Sequence, residues 1–376
     1  MSVKSLSELL KQTTFSDADL TQLLTLNDPQ DCELLYREAY ERTTCVHGNE
    51  LFFRGLIEIS NVCTYDCRYC GIRKSNRSCQ RYSLSKDEIL DAARYALNAG
   101  YASVALQSGE RDDPKFIDFI TDVVASIHQL SVEMGIEQGC GMTLSFGEQT
   151  PETYERWAEA SGNRKALRYL LRIESSNPVL FDHLHYCRSK HRKTLPARYQ
   201  ALKDLRAAGY QVGTGVMIGV PTQTFDDLVQ DIRTFEMLDI DMLGMGPYLV
   251  SHGGDMIDEG MMEKAQLLTL TRNMLATTRL ALPDCNIAAA TALETLQPGG
   301  RALGVLCGCN VIMPNVTPQN NRPSYQLYDN KQGTEASPDA NVLLEQELIQ
   351  VTGRTIARNR FGSAKRFRDR SGMPQD

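Results

Sequence analysis

The sequence predicts an α/β protein built as a complete (βα)8 barrel of the TIM type, with helices before the barrel and a loop and helix extension after it. From about residue 52, short β-branched or apolar segments recur, and each is followed by a stretch with helical periodicity. Eight such units follow one another without a low-complexity linker. This alternation predicts a parallel sheet, and eight units are the number that closes such a barrel.

The individual elements follow from the same patterns. The predicted strands are Gly55–Ser60, Ser103–Gln107, Met142–Phe146, Tyr169–Ile173, Gln211–Ile218, Met242–Gly246, Ile287–Thr291 and Asn310–Met313. The predicted helices between them are Lys86–Ala99, Lys115–Met134, Pro151–Ala160, Ala197–Ala208, Phe225–Leu238 and Met262–Leu280. The barrel is therefore expected to span residues 51–315.

The flanking regions predict additions to the barrel. Residues 1–50 predict helices that pack on it, with Ser16 capping a helix over Ala18–Leu26 and Asp28 to Asp31 breaking the run. Residues 316–376 predict a loop, a helix near Val342–Val351 and a basic tail.

Composition narrows the class of protein. The 376 residues carry 42% hydrophobic side chains and a net charge of −7, which argues against binding to nucleic acid phosphates. Basic residues gather at 188–198 and 354–370, and both groups are expected to be solvated. No apolar run reaches the ~18 residues of a membrane span, and the N-terminus lacks a secretory signal core. A cytoplasmic protein without membrane contact is expected.

Three cysteines follow the first predicted strand in the spacing C-x3-C-x2-C: Cys63, Cys67 and Cys70. Thiolates are soft ligands suited to iron–sulfur clusters, and three of them leave one iron of a cubane open for chemistry. A zinc site would need a fourth ligand at similar spacing, and no histidine lies between residues 54 and 104. A disulfide framework fits poorly with 11 cysteines in a long chain that has no signal peptide.

Polar residues follow several other predicted strands, where barrel active sites lie. Arg172 and Glu174 are two residues apart, so in a strand they point the same way and could contact both ends of a zwitterion or pair with each other. The glycine-rich stretch 213–221, which contains Met217, leaves room for a ring or forms close barrel packing. His183 and His185 are interpreted as part of a polar surface segment.

The cysteine motif with Tyr69 before its last cysteine resembles the signature of the radical S-adenosylmethionine (SAM) enzymes. That resemblance implies a 4Fe-4S cluster held by Cys63, Cys67 and Cys70, with SAM chelated at the open iron. Gly109-Glu110 resembles the element that takes the amino group of SAM.

From about residue 5 to residue 330 the chain resembles the HydE-type FeFe-hydrogenase maturases, in the branch that also contains the biotin synthases. The stretches that carry this resemblance include residues 57–63, 106–110, 143–148, 169–172, 298–301, 307–315 and 325–328.

The resemblance implies a radical enzyme in H-cluster assembly that acts on a small sulfur-containing, amino-acid-derived substrate. It implies cofactor contacts from Tyr69, Gln107, Glu110, Ser145, Glu174, Arg198 and Met217, and a substrate cavity lined by Thr143, Arg172, Thr291 and Tyr325. The implied partners are this substrate, an external one-electron reductant of the ferredoxin or flavodoxin type, and other hydrogenase maturases.

Two stretches depart from the HydE pattern. Ile173 stands where the family usually has histidine, and residues 249–255 replace a His-Pro-x-Thr-Pro-like stretch. The C-terminal cysteines of a second cluster, which some members have, are absent. A HydE-like paralogue that acts on another small amino acid, as methylornithine synthase or biotin synthase does, therefore stays open. So does a protein that carries a cluster only for electron transfer or as a scaffold.

Overall fold

One curled sheet of parallel strands organises the chain, and the computed structural model describes residues 4–186, 193–334 and 339–373. Its strands are β1 Glu50–Phe53, β2 Gly55–Ser60, β3 Ser103–Ser108, β4 Gly141–Ser145, β5 Leu167–Leu170, β6 Gln211–Thr214, β7 Met217–Ile218, β8 Met242–Pro247, β9 Asn286–Ala289, β10 Val311–Ile312 and β11 Thr355–Ala357. Ten of them lie in the order β11, β1, β10, β9, β8, β6, β5, β4, β3, β2, and β7 pairs with β8 beside this path.

Helices alternate with the strands and extend the chain at both ends. They are α1 Leu6–Leu10, α2 Asp17–Leu24, α3 Pro29–His47, α4 Lys86–Asn98, α5 Pro114–Glu133, α6 Pro151–Ala160, α7 Pro178–Leu184, α8 Leu195–Ala207, α9 Phe225–Met237, α10 Lys264–Ala281, α11 Thr291–Leu296, α12 Gly300–Leu306, α13 Ala340–Thr352 and α14 Lys365–Ser371. None of the helices in the described ranges is both long and apolar enough to cross a membrane.

The predicted elements are confirmed in kind, with local differences at their ends. The predicted break at Asp28 to Asp31 holds for Asp28, the N-cap of α3, whose side chain accepts from the N–H groups of residues 30 and 31, but is wrong for residues 29–31, which begin that helix. The predicted strand 211–218 is two strands, and the predicted strand 169–173 ends at Leu170. Thr291 begins α11 and does not belong to a strand.

The sheet curls far enough to bring its first and last parts together. β1 and β2 are consecutive in the chain, yet β2 ends the strand path at one side while β1 pairs with β10 near the other. The Leu56 N–H donates to the Pro314 carbonyl at 2.8 Å, and the Val316 N–H donates to the Leu56 carbonyl at 2.8 Å. The carboxyl ends of the strands therefore surround a common space.

The basic C-terminal segment does not form a solvated tail. The Phe361 carbonyl accepts hydrogen bonds from Arg168 and Ser103, while the Gly362 carbonyl accepts from Arg54 and Asn286. These four donors come from different strands or strand edges at the amino end of the sheet. The segment therefore covers that end of the sheet and leaves the carboxyl ends to form the site.

Candidate active site

A cavity of about 280 Å³ lies at the carboxyl ends of the strands. Loops converge at this end of a parallel sheet, which is why barrel active sites are found there. Most of the predicted site residues line it: Cys63, Cys67, Tyr69, Cys70, Gln107, Glu110, Ser145, Arg172, Glu174, Arg198, Met217, Thr291 and Tyr325.

Thr143, which was predicted to line the substrate cavity, is not among the lining residues. It lies in β4 two residues before Ser145. Because a strand advances about 3.3 Å per residue, the Thr143 side chain lies deeper in the sheet than the cavity wall. Its hydroxyl is buried, and it has no hydrogen-bond partner in the described ranges.

The loop that carries the three cysteines is held by backbone contacts on two sides. The Thr64 N–H donates to the Glu110 carbonyl at 3.0 Å, and the Gly71 N–H donates to the Leu327 carbonyl at 2.8 Å. A Cβ at Gly71 would lie 2.1 Å from the Gln326 carbonyl oxygen, so only glycine allows this approach. The loop therefore holds its thiols against the cavity.

The chemistry of the three thiols suits an iron–sulfur cluster. Within the described ranges, no three His, Cys, Asp or Glu side chains are placed to hold one ion. A cubane does not require this convergence, because each thiolate binds a different iron. Burial raises the pKa of Cys63 to about 11 and also raises the pKa values of Cys67 and Cys70, so these groups are neutral thiols until a metal stabilises the thiolates.

Four charged side chains meet beside the cysteines: Glu110, Glu148, Lys193 and Arg198. The Lys193 ammonium pairs with Glu110, and Arg198 Nε lies 2.7 Å from Glu148 Oε1. Burial would raise the pKa of Glu110, but the charges of Lys193 and Arg198 lower it below its ordinary value. Glu110 Oε2 and Arg198 Nη2 are buried and have no hydrogen-bond partner in the part of the chain that the structure describes. An unpaired acceptor and an unpaired donor on one wall match a ligand that carries both an ammonium and a carboxylate.

Lys193 and Arg198 are buried, contrary to the expectation that the basic segment 188–198 is solvated. Their side chains are each 3% exposed, while residues 188–192 lie outside the described part of the chain. The sequence signal that could have identified them is Thr194, which caps the start of α8 and so holds both residues near a helix N-terminus at the strand ends.

Arg172 and Glu174 face the cavity as a fork-shaped ion pair. Arg172 Nε lies 3.0 Å from Glu174 Oε1, and Arg172 Nη2 lies 2.8 Å from Glu174 Oε2. Glu174 has a φ of 62°, which is uncommon for a residue other than glycine and marks a bend after β5. The two side chains are therefore brought together by this bend and not by the period of a strand. Arg172 Nη2 also donates to the Val216 carbonyl at 3.0 Å.

Thr291 and Tyr325 lie on another part of the wall. Arg301 Nη2 donates to the Thr291 hydroxyl at 3.2 Å, and Arg301 is the second residue of α12. A Cβ at Gly300 would lie 2.1 Å from the Leu293 carbonyl oxygen, so glycine permits the close packing of α11 and α12. The Gly299-Gly300-Arg301 stretch thus positions Thr291.

A histidine and an apolar cluster cover one side of the cavity. His185 was interpreted as a surface residue, but it is 3% exposed and lines the cavity. Its ring meets the Tyr69 ring edge to face, with centroids 5.7 Å apart. The cluster beside it consists of Leu184, Met217, Val220, Tyr248 and Met256. His185 and Met217 of this cover line the cavity together with the three cysteines.

The glycines of the stretch 213–221 contribute packing more than space. A Cβ at Gly215 would lie 2.0 Å from the Gly244 carbonyl oxygen, and one at Gly213 would lie 2.6 Å from the Met242 side chain. Of the predicted residues in this stretch, Met217 lines the cavity, and Gly244 and Gly246 of β8 open the space beside it.

The sequence reasoning missed a buried ion pair between Glu58 in β2 and Lys331. Both side chains line the cavity, with exposures of 1% and 5%. Lys331 Nζ also donates to the Tyr325 carbonyl at 3.0 Å and lies 4.9 Å from the centre of the Tyr325 ring. Asn315 donates to the second Glu58 oxygen at 3.1 Å. This pair ties the loop that carries Tyr325 to the sheet.

Lys331→Met should lower the free energy of unfolding by about 3–5 kcal/mol, because it leaves the Glu58 carboxylate buried without its cation. Urea unfolding followed by circular dichroism would measure the loss. The double variant with Glu58→Gln should recover much of it, since no unpaired charge remains. A single variant as stable as the wild type would show that the pair does not hold the loop.

Comparison with known proteins relates this chain to the radical SAM enzymes. The Radical SAM superfamily model matches residues 57–235. The chain is 38% identical to the [FeFe] hydrogenase maturase subunit HydE of Thermotoga maritima over 372 residues, which cover 97% of this chain and 99% of that protein. It is 25% identical to the 3-methylornithine synthase of Methanosarcina acetivorans over 81% of each chain.

Solved structures show the same architecture. The crystal structure of methylornithine synthase (PylB) superposes with a TM-score of 0.76 at 23% identity, covering 94% of this chain and 98% of that one. HydG, a maturase of the [FeFe]-hydrogenase, superposes with a TM-score of 0.73 at 19% identity, covering 92% of this chain and 74% of that one. At these identities the superpositions bear on the fold alone.

Proposed function

Because this chain belongs to the HydE family of radical SAM enzymes, we propose that it acts in the maturation of the FeFe-hydrogenase H-cluster. In this proposal it reductively cleaves SAM to a 5′-deoxyadenosyl radical, which acts on a small sulfur-containing, amino-acid-derived substrate. The observation that carries the proposal is the common cavity, in which three cysteine thiols share the wall with carboxylate and guanidinium atoms that have no hydrogen-bond partner among the described residues.

The residues of the cavity would bind the cluster and SAM through different groups. Cys63, Cys67 and Cys70 would hold the 4Fe-4S cluster, which when bound supplies the electron for SAM cleavage. Glu110 would accept from the ammonium of SAM and Arg198 would donate to its carboxylate, since each has a polar atom without a hydrogen-bond partner among the described residues. Tyr69, Gln107, Ser145, Glu174 and Met217 would form the remaining SAM contacts. The cover formed by His185 and its apolar neighbours keeps out water and competing hydrogen donors.

The substrate would lie against Arg172, Thr291 and Tyr325. Arg172 has a planar fork that can bind a carboxylate in place of Glu174, and Arg301 holds the Thr291 hydroxyl in place. Thr143 lies in β4 below the cavity wall, and it would contribute its hydroxyl, which has no hydrogen-bond partner among the described residues, to the substrate region. No general base is assigned, because hydrogen or group abstraction by a radical does not require one.

We also propose that the sheet closes as a complete (βα)8 barrel, in which β1 and β2 together form the first strand. The hydrogen bonds that join Leu56 to Pro314 and Val316 support this closure, because they pair the first strand with the last.

The proposed setting is the cytoplasm, with a ferredoxin- or flavodoxin-type reductant and other hydrogenase maturases as partners. The ten described cysteines are all free thiols, which suits a reducing compartment.

A maturation assay tests the proposal. Purified apo-hydrogenase would be incubated anaerobically with the other maturases, SAM, reductant and this protein, and hydrogen evolution would be measured. We expect activity that depends on this chain and is absent with its Cys67→Ala variant. A chain that cleaves SAM but leaves the hydrogenase inactive would contradict the maturation role.

The alternative of a paralogue with another small amino acid as substrate rests on the segment 249–255. Leu249 lines the cavity, whereas Ile173, the other departure from the HydE pattern, is fully buried in the core and not on the wall. Only one departure therefore touches the substrate region. Formation of 3-methylornithine in a system reconstituted with this protein would favour this alternative.

A further inference from the structure

Lys193 is a buried cation between the cysteine loop and the carboxylate of Glu110. Its side chain is 3% exposed and lines the cavity. The ammonium pairs with Glu110 and lies 4.6 Å from the centre of the Tyr65 ring, which belongs to the cysteine loop. Neither the cysteine motif nor the Gly109-Glu110 element accounts for a lysine at this position.

The charges around Lys193 balance before any ligand is present. Lys193 and Arg198 are the two cations, and Glu110 and Glu148 are the two carboxylates, so the four side chains have no net charge. The balance does not satisfy every atom, because Glu110 Oε2 and Arg198 Nη2 lack hydrogen-bond partners among the described residues. Buried polar atoms of this kind normally have partners, so their orientation points to a ligand.

We propose that Lys193 exchanges partners when SAM binds and becomes a ligand for the SAM carboxylate. The proposal rests on the proposed function. The SAM ammonium takes the place of Lys193 on Glu110, and the released Lys193 ammonium pairs with the SAM carboxylate beside Arg198. The exchange preserves electrical neutrality, because the ammonium and carboxylate of SAM add one charge of each sign.

This exchange makes carboxylate recognition depend on Lys193. A lysine is suited to it because its ammonium sits on a flexible stem and can turn between partners, whereas the planar fork of Arg198 is fixed in orientation. Truncating one member of a buried charge pair costs 2–5 kcal/mol, which corresponds to a loss of affinity of roughly 30-fold or more.

The test compares SAM with decarboxylated SAM, which keeps the ammonium and the sulfonium but lacks the carboxylate. Anaerobic calorimetry on cluster-loaded protein would give the ratio of the two dissociation constants. In the wild type the dissociation constant of decarboxylated SAM should be much larger than that of SAM. Lys193→Met should reduce this ratio at least about tenfold. Lys193→Arg should lose less of the preference than Lys193→Met, because it keeps the positive charge although not the flexible ammonium. Lys74→Met, at an exposed lysine of the cysteine loop, should leave the ratio unchanged.

The outcomes separate this proposal from the proposed function. An unchanged ratio in Lys193→Met, with iron content equal to the wild type, would overturn the partner exchange alone. Failure of the cluster-loaded wild type to bind SAM would overturn both. If Lys193→Met does not retain iron, Lys193→Gln replaces it, because its amide can still donate to Glu110 and so support the fold.

Discussion

Replacement of Cys67 by alanine is expected to abolish cluster binding and SAM cleavage together. Cys67 is buried, lies between the other two cysteines of the motif and lines the cavity with them. Two thiolates cannot hold three irons of a cubane, so the variant should contain little iron or sulfide after anaerobic reconstitution. Iron and sulfide analysis, together with the visible absorption spectrum, measures the first loss, and the yield of 5′-deoxyadenosine measures the second.

Cys79→Ala is the matched control. Cys79 follows the same loop but is absent from the cavity wall, and its thiol lies 3.5 Å from the Asn61 side-chain nitrogen. This variant should bind iron and cleave SAM as the wild type does. A Cys67→Ala protein with a full complement of iron and sulfide would show that these cysteines do not hold the cluster.

Replacement of Arg172 by alanine is expected to retain the cluster and lose turnover of the substrate. Arg172 is on the cavity wall and has no contact with the cysteines in the described structure, so iron and sulfide should match the wild type. Its loss removes the fork that would orient the substrate and leaves Glu174 without its cation. Misplacement of a reacting group by about 1 Å costs roughly 10²-fold in rate, so turnover should fall by at least that factor. The hydrogenase maturation assay measures it.

The Arg172→Lys variant distinguishes the effect of the positive charge of Arg172 from the effect of its planar guanidinium. Lysine restores a cation beside Glu174 but cannot donate in the planar, bidentate manner of arginine. Turnover should therefore stay well below that of the wild type. The stability that Arg172→Ala loses by leaving Glu174 without its cation should be regained. If Arg172→Ala matures hydrogenase at the wild-type rate, Arg172 does not contact the substrate.

The sequence was informative where chemistry and periodicity coincide. The cysteine spacing, the alternation of strands with helices and the polar residues after strands all follow from local patterns, and most of the predicted residues do meet in one cavity. Parallel strands place their carboxyl ends together, so a residue that follows a strand can be assigned to the site without further information.

The residues that sequence reasoning missed depend on contacts between distant parts of the chain. Lys331 pairs with Glu58 although 273 positions separate them, and the same sequence could equally well have placed that lysine in solvent. The basic C-terminal segment was expected to be solvated because charge alone favours exposure. Its backbone carbonyls instead satisfy buried donors such as Arg168 and Asn286 at the amino end of the sheet. Burial that depends on contacts between distant parts of the chain leaves no local pattern in the sequence from which it could be predicted.

The most direct test of the account is the fate of SAM with the reconstituted protein. The protein would be loaded anaerobically with iron and sulfide, reduced, mixed with SAM and analysed for 5′-deoxyadenosine and methionine. The account predicts both products in equal amounts, in proportion to the cluster content. A protein with a complete, reducible cluster that leaves SAM intact would contradict it and would favour an electron carrier or scaffold.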